Sequence, residues 1–325
     1  VTETVSSPIK TLPSRRLPVA VWSILAPLLG ALAGLLLGAI PIWLSGAHPL
    51  TAYGVMLTGA FGGRRQITET ILRATPLLIM GLGLTVAFRG RVWNIGGEGQ
   101  YFIGALAGTV VGLLGQATLP GAVLIPLMLI ASLFGGALWA GVAALLRIRF
   151  GINEIIVTLM LNYIAEYSVL YMARQPLRDP ESFLPQSAQL LQAARMPTLV
   201  GTRLHVGILL ALLLIPLVYL LLWKTPLGFR IRAIGANPVV AYHAGMNVTW
   251  GLAFALLFSG ALAGMTGLIE VSALHTRLKD GISGGYGFTG ILVALLGRLH
   301  PIGVFFAALF FAALTIGAQT MHSVY

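Results

Sequence analysis

Leu209-Leu210-Ala211-Leu212-Leu213-Leu214-Ile215-Pro216-Leu217-Val218-Tyr219-Leu220-Leu221-Leu222 carries no charge and no alternation of polar with apolar residues. A strand of a membrane barrel would alternate at every second residue over about ten residues. This run is apolar on every side, which suits a helix surrounded by hydrocarbon. Similar runs of about 20 residues, each long enough to cross a core of about 30 Å as a helix, recur along most of the chain. Of the 325 residues, 57% are hydrophobic and 9% are Asp, Glu, Lys or Arg, against about 25% charged in soluble domains. A water-soluble globule is excluded. The fold class expected is all-α, a polytopic transmembrane helical bundle of nine or ten spans.

Nine spans are placed at residues 19–44, 67–88, 101–114, 122–146, 152–172, 206–223, 249–274, 288–296 and 302–319. Residues 1–18 read as a polar cytoplasmic tail with Lys10, Arg15 and Arg16, and residues 19–325 as one membrane domain. The first apolar run is too long for the core of a cleaved signal peptide. The 20 basic and 9 acidic residues give a net charge of +11, which in a soluble protein would suggest nucleic acid. Here the basic residues lie in short connections and report topology, so no nucleic acid partner is expected. With the N-terminus inside, Arg89, Arg91, Arg147, Arg149, Lys224, Arg230, Arg232 and Arg298 all fall on the cytoplasmic side, whereas Arg64, Arg65, the arginines from Arg174 to Arg203, Arg277 and Lys279 fall outside, so the rule is obeyed as a bias. The chain has no cysteine, which excludes disulfides, thiolate nucleophiles and Cys-ligated metals.

Two glycine-rich stretches interrupt the apolar pattern. Asn94-Ile95-Gly96-Gly97-Glu98-Gly99-Gln100 precedes one short apolar run, and Gly284-Gly285-Tyr286-Gly287 precedes another. Broken hydrophobic segments in corresponding places are what an inverted repeat with a solute pathway at its interface looks like. Polar backbone in such breaks must line a cavity or be buried in protein. Asn94, Glu98 and Gln100 would then offer amides and a carboxylate to a polar solute. In the fifth span Glu154, Thr158, Asn162 and Glu166 recur at every fourth residue, along one slowly rotating face, and cover about 18 Å at 1.5 Å per residue. Ionisable residues inside a span usually face a cavity or a partner, and this stripe reads as a wall of the same pathway. Glu270 reads as solvated or interfacial. Gly30, Gly34 and Gly38, and likewise Ser259, Ala263 and Gly267, are spaced for close helix packing.

The inside loop 224–247 contains a second kind of signal. Asn237 is a good N-cap, Pro238 suits the first helical position and Gly245 suits the stop, so a helix of about two turns is expected there. Such a helix, from Asn237 and Pro238 through Val239, Val240, Ala241, Tyr242, His243 and Ala244 to Gly245, would be a cytoplasmic docking element.

The run 94–100, the stretch Gly151-Ile152-Asn153-Glu154-Ile155-Ile156-Val157-Thr158-Leu159-Met160-Leu161-Asn162-Tyr163, the loop 233–246 and the segment 281–290 together resemble the permease subunits of bacterial nucleoside ABC importers. The wider group includes ribose and branched-chain amino acid permeases. The resemblance implies a second permease subunit, commonly paralogous, an ABC ATPase subunit in the cytoplasm, and an extracytoplasmic substrate-binding protein. It also implies a location in the bacterial plasma membrane and a coupling helix at 237–245 seated on the ATPase. It leads one to expect a further hydrophobic helix after Gln319, and hence a trimmed chain.

No G-x-x-x-x-G-K-[ST] occurs in the sequence, so ATP and Mg are expected in the partner ATPase, with no cofactor in this chain. The reading is a transport subunit rather than an enzyme, moving nucleosides unaltered by alternating access. Tyr286 and Phe288 are candidates for stacking on a nucleobase. The external loop 173–204, with Arg174, Arg178, Arg195, Arg203, Asp179 and Glu181, is a candidate dock for the binding protein. A pentose or another small polar cargo, and an ion-driven transporter using its intramembrane carboxylates, are the alternatives. A membrane enzyme finds no support, because H-E-x-x-H is absent and the six histidines are scattered. No metal site is expected.

Overall fold

The computed structural model describes residues 19–199, 203–279 and 281–324. The tail 1–18, with Lys10, Arg15 and Arg16, lies outside the described residues. The helices are α1 (Val19–Leu44), α2 (Pro49–Phe61), α3 (Arg64–Arg89), α4 (Gly97–Gly115), α5 (Gly121–Phe150), α6 (Glu154–Arg174), α7 (Gly207–Lys224), α8 (Pro226–Ala236), α9 (Pro238–His243), α10 (Val248–Glu270), α11 (Tyr286–Leu296) and α12 (Pro301–Val324). One π-helical turn, Val271–His275, continues α10. Among the described residues strand pairing is limited to three isolated bridges.

All nine expected segments are helical, but they do not all span. Among the described residues six helices, α3, α5, α6, α7, α10 with its π turn, and α12, are long and apolar enough to cross a membrane. The end of α1 and the unexpected α2 form a pair bent by 111°, which raises the number to seven if counted as one span. The first turn of α4 consists of Gly97, Glu98, Gly99 and Gln100, and α11 has only 11 residues. Neither is a full apolar crossing, α4 because its 19 residues open on a polar turn and α11 because it is short, so the expected nine or ten spans exceed the six or seven found among the described residues.

Helix α3 is the axis of the bundle and is buried almost continuously from Ala74 to Phe88. Helix α10 packs on it, and α4 and α5 pack on α10 and on each other with their backbones in near contact, because glycines meet at the crossing. A methyl group on Gly104 would lie 2.1 Å from Gly264 Cα, and one on Gly264 would lie 2.3 Å from the Ser132 carbonyl. Small residues are how membrane helices gain packing when lipid supplies no hydrophobic drive. Gly267, in the expected small-residue stripe of α10, faces the Tyr101 carbonyl, whereas Gly30 and Gly34 of α1 face open space.

These contacts also set direction. Gly104 and Gly108 meet Gly264 and Leu268, so α4 runs parallel to α10; Ser132 and Ala140 meet Gly264 and Gly260, so α5 runs antiparallel to it. The connections that carry Arg89, Arg91, Arg147, Arg149, Lys224, Arg230, Arg232 and Arg298 therefore gather at one end, the basic end. There Arg89 donates to the Leu299 carbonyl at 2.9 Å, and the Arg89 and Arg232 guanidiniums lie 5.2 and 5.9 Å from the Trp223 ring centre.

At the opposite end the long connection after α6 is stitched to the segment after α10. Ser187 N donates to the Leu278 carbonyl at 2.8 Å, Leu190 N donates to that of Thr276 at 2.9 Å, and Arg277 pairs with Asp179. That pairing holds the Asp179 carboxyl below its ordinary value. Arg203 pairs with Glu69 at the start of α3. His205, just before α7, is buried with Nδ1 lacking a partner, and burial lowers its pKa from 6.5 to about 4. An unfolded chain takes up this proton first as pH falls, so the neutral ring's contribution is complete above pH 6.5 and is lost between 6.5 and 4. The full loss is about 3 kcal/mol at most. Thermal unfolding of His205→Gln is expected to show a shallower drop between pH 7 and pH 4.5 than the parent.

Candidate functional site: two half-helices meeting inside the bundle

Met80 packs against Gly97 at the start of α4 and against Gly290 in the first turns of α11. It lies nine residues, or about 14 Å, from the basic end of α3. Both half-helices thus begin near mid-depth. The chain reaches α4 from the basic end and α11 from the opposite end, and the two run away from each other in opposite directions. Each follows a long buried helix, α3 or α10, and these two also run in opposite directions. The turn into α11 uses Gly284 and Gly285 at φ +57° and +87°, a region that favours glycine.

Glu98 Oε2 accepts a 2.7 Å hydrogen bond from Gly287 N, joining the two breaks. The carboxylate sits at the positive end of α11, where a negative charge is stabilised. Asn94 and Gln100 bond each other reciprocally, Nδ2 to Oε1 at 2.8 Å and Nε2 to Oδ1 at 2.9 Å. Asn94 also donates to Ser259 Oγ at 3.0 Å and accepts from Gly96 N at 3.0 Å. From α6, Asn162 accepts from Gly99 N at 2.8 Å and donates to the Ile95 carbonyl at 3.0 Å. Buried side chains therefore satisfy Gly96 N, Gly99 N and the Ile95 carbonyl of the first break, as membrane depth demands.

The structure brings Asn94, Glu98, Gln100, Thr158 and Asn162 together and buries all five. Thr158 bonds the Glu154 carbonyl at 2.6 Å, and the Glu154 carboxylate pairs with Arg147 at the end of α5. Glu166 is partly exposed at the edge of the stripe, within electrostatic reach of Glu98. Tyr286 is buried, accepts from Arg73 Nη1 at 2.6 Å, and has its ring 6.2 Å from that of Tyr101. Phe288 is exposed.

Glu270 corrects the expectation of a solvated or interfacial residue: it is 1% exposed, and its Oε1 has no hydrogen-bond partner. Its Oε2 lies 3.8 Å from His275 Nε2 across the π turn, a local irregularity frequent at functional sites. Arg73 lies within its electrostatic reach. The pair had a sequence signal that went unread, since an arginine and a glutamate inside two apolar spans need each other. Among the described residues no three His, Asp or Glu side chains gather as a metal site.

At the basic end, α9 forms as its sequence requires. Asn237 Oδ1 accepts from Val239 N at 3.0 Å and Val240 N at 3.2 Å, and Gly245 ends the turn at φ +77°. Val239, Val240 and Tyr242 are exposed and Ala241 is buried, so α9 sits on the bundle with an apolar outer face. Helix α8, beneath it, was not expected; Thr225 caps it and Pro226 opens it.

Residues 66–324 match the family described as the branched-chain amino acid transport system / permease component. The chain belongs to this permease family. The permease is 36% identical over 307 residues to the glucose ABC transporter permease protein TsgB13 of Haloferax volcanii, covering 91% of this chain and 80% of that one. It is 35% identical to the guanosine ABC transporter permease protein NupP of Bacillus subtilis, covering 92% and 86%. It is 31% identical to the nucleoside ABC transporter permease protein NupB of Lactococcus lactis subsp. cremoris, covering 92% and 84%. No solved structure matches the permease significantly. The match and the six apolar helices make it a multi-pass membrane protein.

Proposed function

We propose that the permease moves nucleosides across the plasma membrane as one of two paralogous permease subunits of an ATP-driven ABC importer. The observation that carries transport is the meeting of two half-helices at mid-depth through one carboxylate, Glu98 on Gly287 N. A joint made of half-helices can open by moving two rigid arms apart, which is how a fixed site is exposed alternately to each side. The cargo rests on the guanosine and nucleoside permeases among the relatives. The glucose permease relative favours a second reading, in which the same machine carries a sugar.

In this reading the N-terminus and the basic end are cytoplasmic, and α9 is the coupling helix. The partner ATPase holds ATP and Mg and pushes on Val239, Val240 and Tyr242. The substrate-binding protein delivers cargo to the opposite end, over the long connection after α6. Asn94, Gln100, Thr158 and Asn162 hold the joint in the conformation described, and their polar atoms become available to solute as it opens.

Val240→Asp places a charge on the outer face of α9 without disturbing the bundle. It is expected to lower ATP-dependent uptake at least tenfold while leaving yield and thermal stability unchanged, with less ATPase co-purifying. The reading itself is tested by uptake of labelled guanosine, uridine and glucose into vesicles holding the assembled importer. ATP-dependent accumulation of nucleosides supports it, and accumulation of glucose alone replaces the cargo.

A further inference from the structure

Helix α6 packs chiefly against α4 and more lightly against α5, which leaves one side uncovered. On that side Tyr163, Tyr167 and Tyr171 recur at every fourth residue and are 55%, 67% and 61% exposed. They are the only exposed tyrosines on membrane-crossing helices among the described residues, and no hydrogen bond to their hydroxyls occurs among those residues. Tyr163 lies nine residues from the start of α6, about 14 Å deep, and Tyr171 lies near the far end. An interfacial aromatic belt explains Tyr171 but not a phenol at the centre of a span.

Other uncovered faces are different. That of α5 presents Leu127, Ile130, Phe134 and Leu138, and that of α12 presents Ile302, Phe306 and Phe310; both are what hydrocarbon accepts. Beside the tyrosines, by contrast, Glu166 is partly exposed at mid-span and has neither an ion pair nor a hydrogen bond among the described residues. A carboxylate presented to lipid at that depth costs about 3 kcal/mol or more. A group of this kind faces a cavity or a partner rather than lipid. An open groove of about 690 Å³ runs along it between Leu106 of α4 and the three rings, within the range that holds small-molecule ligands.

We propose that Tyr163, Tyr167 and Tyr171 form a ladder on which a nucleobase stacks as it crosses. This rests on the nucleoside reading above and assigns that cargo a place. A flat heteroaromatic ring matches a tyrosine face, and rings one helical turn apart offer successive, equivalent positions, so binding is tolerant of the base. Tyr286 does not serve this role in the conformation described, because its ring is packed against Tyr101 and held by Arg73.

The absence of cysteine from the chain makes the test direct. Tyr167→Cys carries a single thiol, and Leu138→Cys on α5 supplies a lipid-facing reference. Each is assembled with its partner subunits in vesicles and treated with a charged, water-soluble thiol reagent, with labelling of this chain read by mass spectrometry. The ladder predicts labelling at position 167 but not at 138, and at least fivefold slower labelling at 167 with guanosine or uridine present. It also predicts a rise of about tenfold in the KM for nucleoside uptake in Tyr167→Leu and nearly parental uptake in Tyr167→Phe, which keeps the ring.

Position 167 unreactive to the charged reagent, covered by lipid or by the second permease, would overturn the proposal. So would labelling that nucleosides do not slow, in an importer that still transports them. If the parent importer carries no nucleoside at all, the cargo reading fails first, and the uptake assay shows that separately.

Discussion

Gly264→Leu is expected to abolish accumulation of the folded permease. The first atom of any side chain at this position falls 2.3 Å from the Ser132 carbonyl and 2.9 Å from Gly136 Cα. These are backbone atoms of α5, which cannot rotate away as a side chain would. Gly104 of α4 lies on the other side, so three helices would have to separate together. Overpacking of a side-chain core typically costs 1–3 kcal/mol, and a backbone crossing yields less readily. Gly34→Leu is the control, because nothing lies within 4 Å of the position. Monodisperse yield by size-exclusion chromatography in detergent distinguishes the two, with Gly264→Leu lost or aggregated and Gly34→Leu unchanged.

The second large effect is expected at the joint. Glu98→Leu removes the acceptor of the Gly287 N–H at a depth where water does not replace it. A buried donor left unpaired costs about 1–3 kcal/mol in protein interiors, and several kcal/mol where only hydrocarbon is near. Loss of the joint lets α4 and α11 drift, and ATP-dependent uptake is expected to fall at least tenfold with a lowered melting temperature. Glu98→Gln keeps an acceptor oxygen and is expected to retain most of both. Equal damage from Leu and Gln would mean that the charge at the α11 N-terminus, rather than the hydrogen bond, holds the joint. The measurement is paired: initial uptake rate in vesicles and thermal unfolding of the same preparations.

Much of this was legible in the residues. Apolar runs such as 209–222 report a helix in lipid because both faces must be apolar, and all nine segments are helical. The α9 helix was legible to the residue, since Asn237, Pro238 and Gly245 each act through their own backbone and need no tertiary partner. The four-residue period of Glu154, Thr158, Asn162 and Glu166 correctly marked one side of α6, and the structure shows Thr158 and Asn162 facing the first break.

What the residues hid were pairings distant in sequence. That Glu98 meets Gly287 across 189 positions, or Asn94 meets Ser259, follows only from how α3, α4 and α10 cross. Arg73 was passed over because it lies in an otherwise apolar span, and Glu270 was misread because its depth depends on where α10 ends. The tyrosines of α6 looked like ordinary hydrophobic residues until the packing left them uncovered. Helices α2 and α8 escaped because short helices with Pro at their start resemble loops when read for spanning length alone.

The permease's place in an ATP-driven importer is tested most directly by transport in a defined system. Vesicles would contain this chain, its paired permease, the ATPase and the binding protein, with ATP trapped on the ATPase side and a matched set lacking ATP. Accumulation of labelled guanosine or uridine against a gradient only where ATP is present, and its loss in Val240→Asp, is the predicted result. Uptake of the same nucleosides driven by an ion gradient, and indifferent to ATP, would contradict the account.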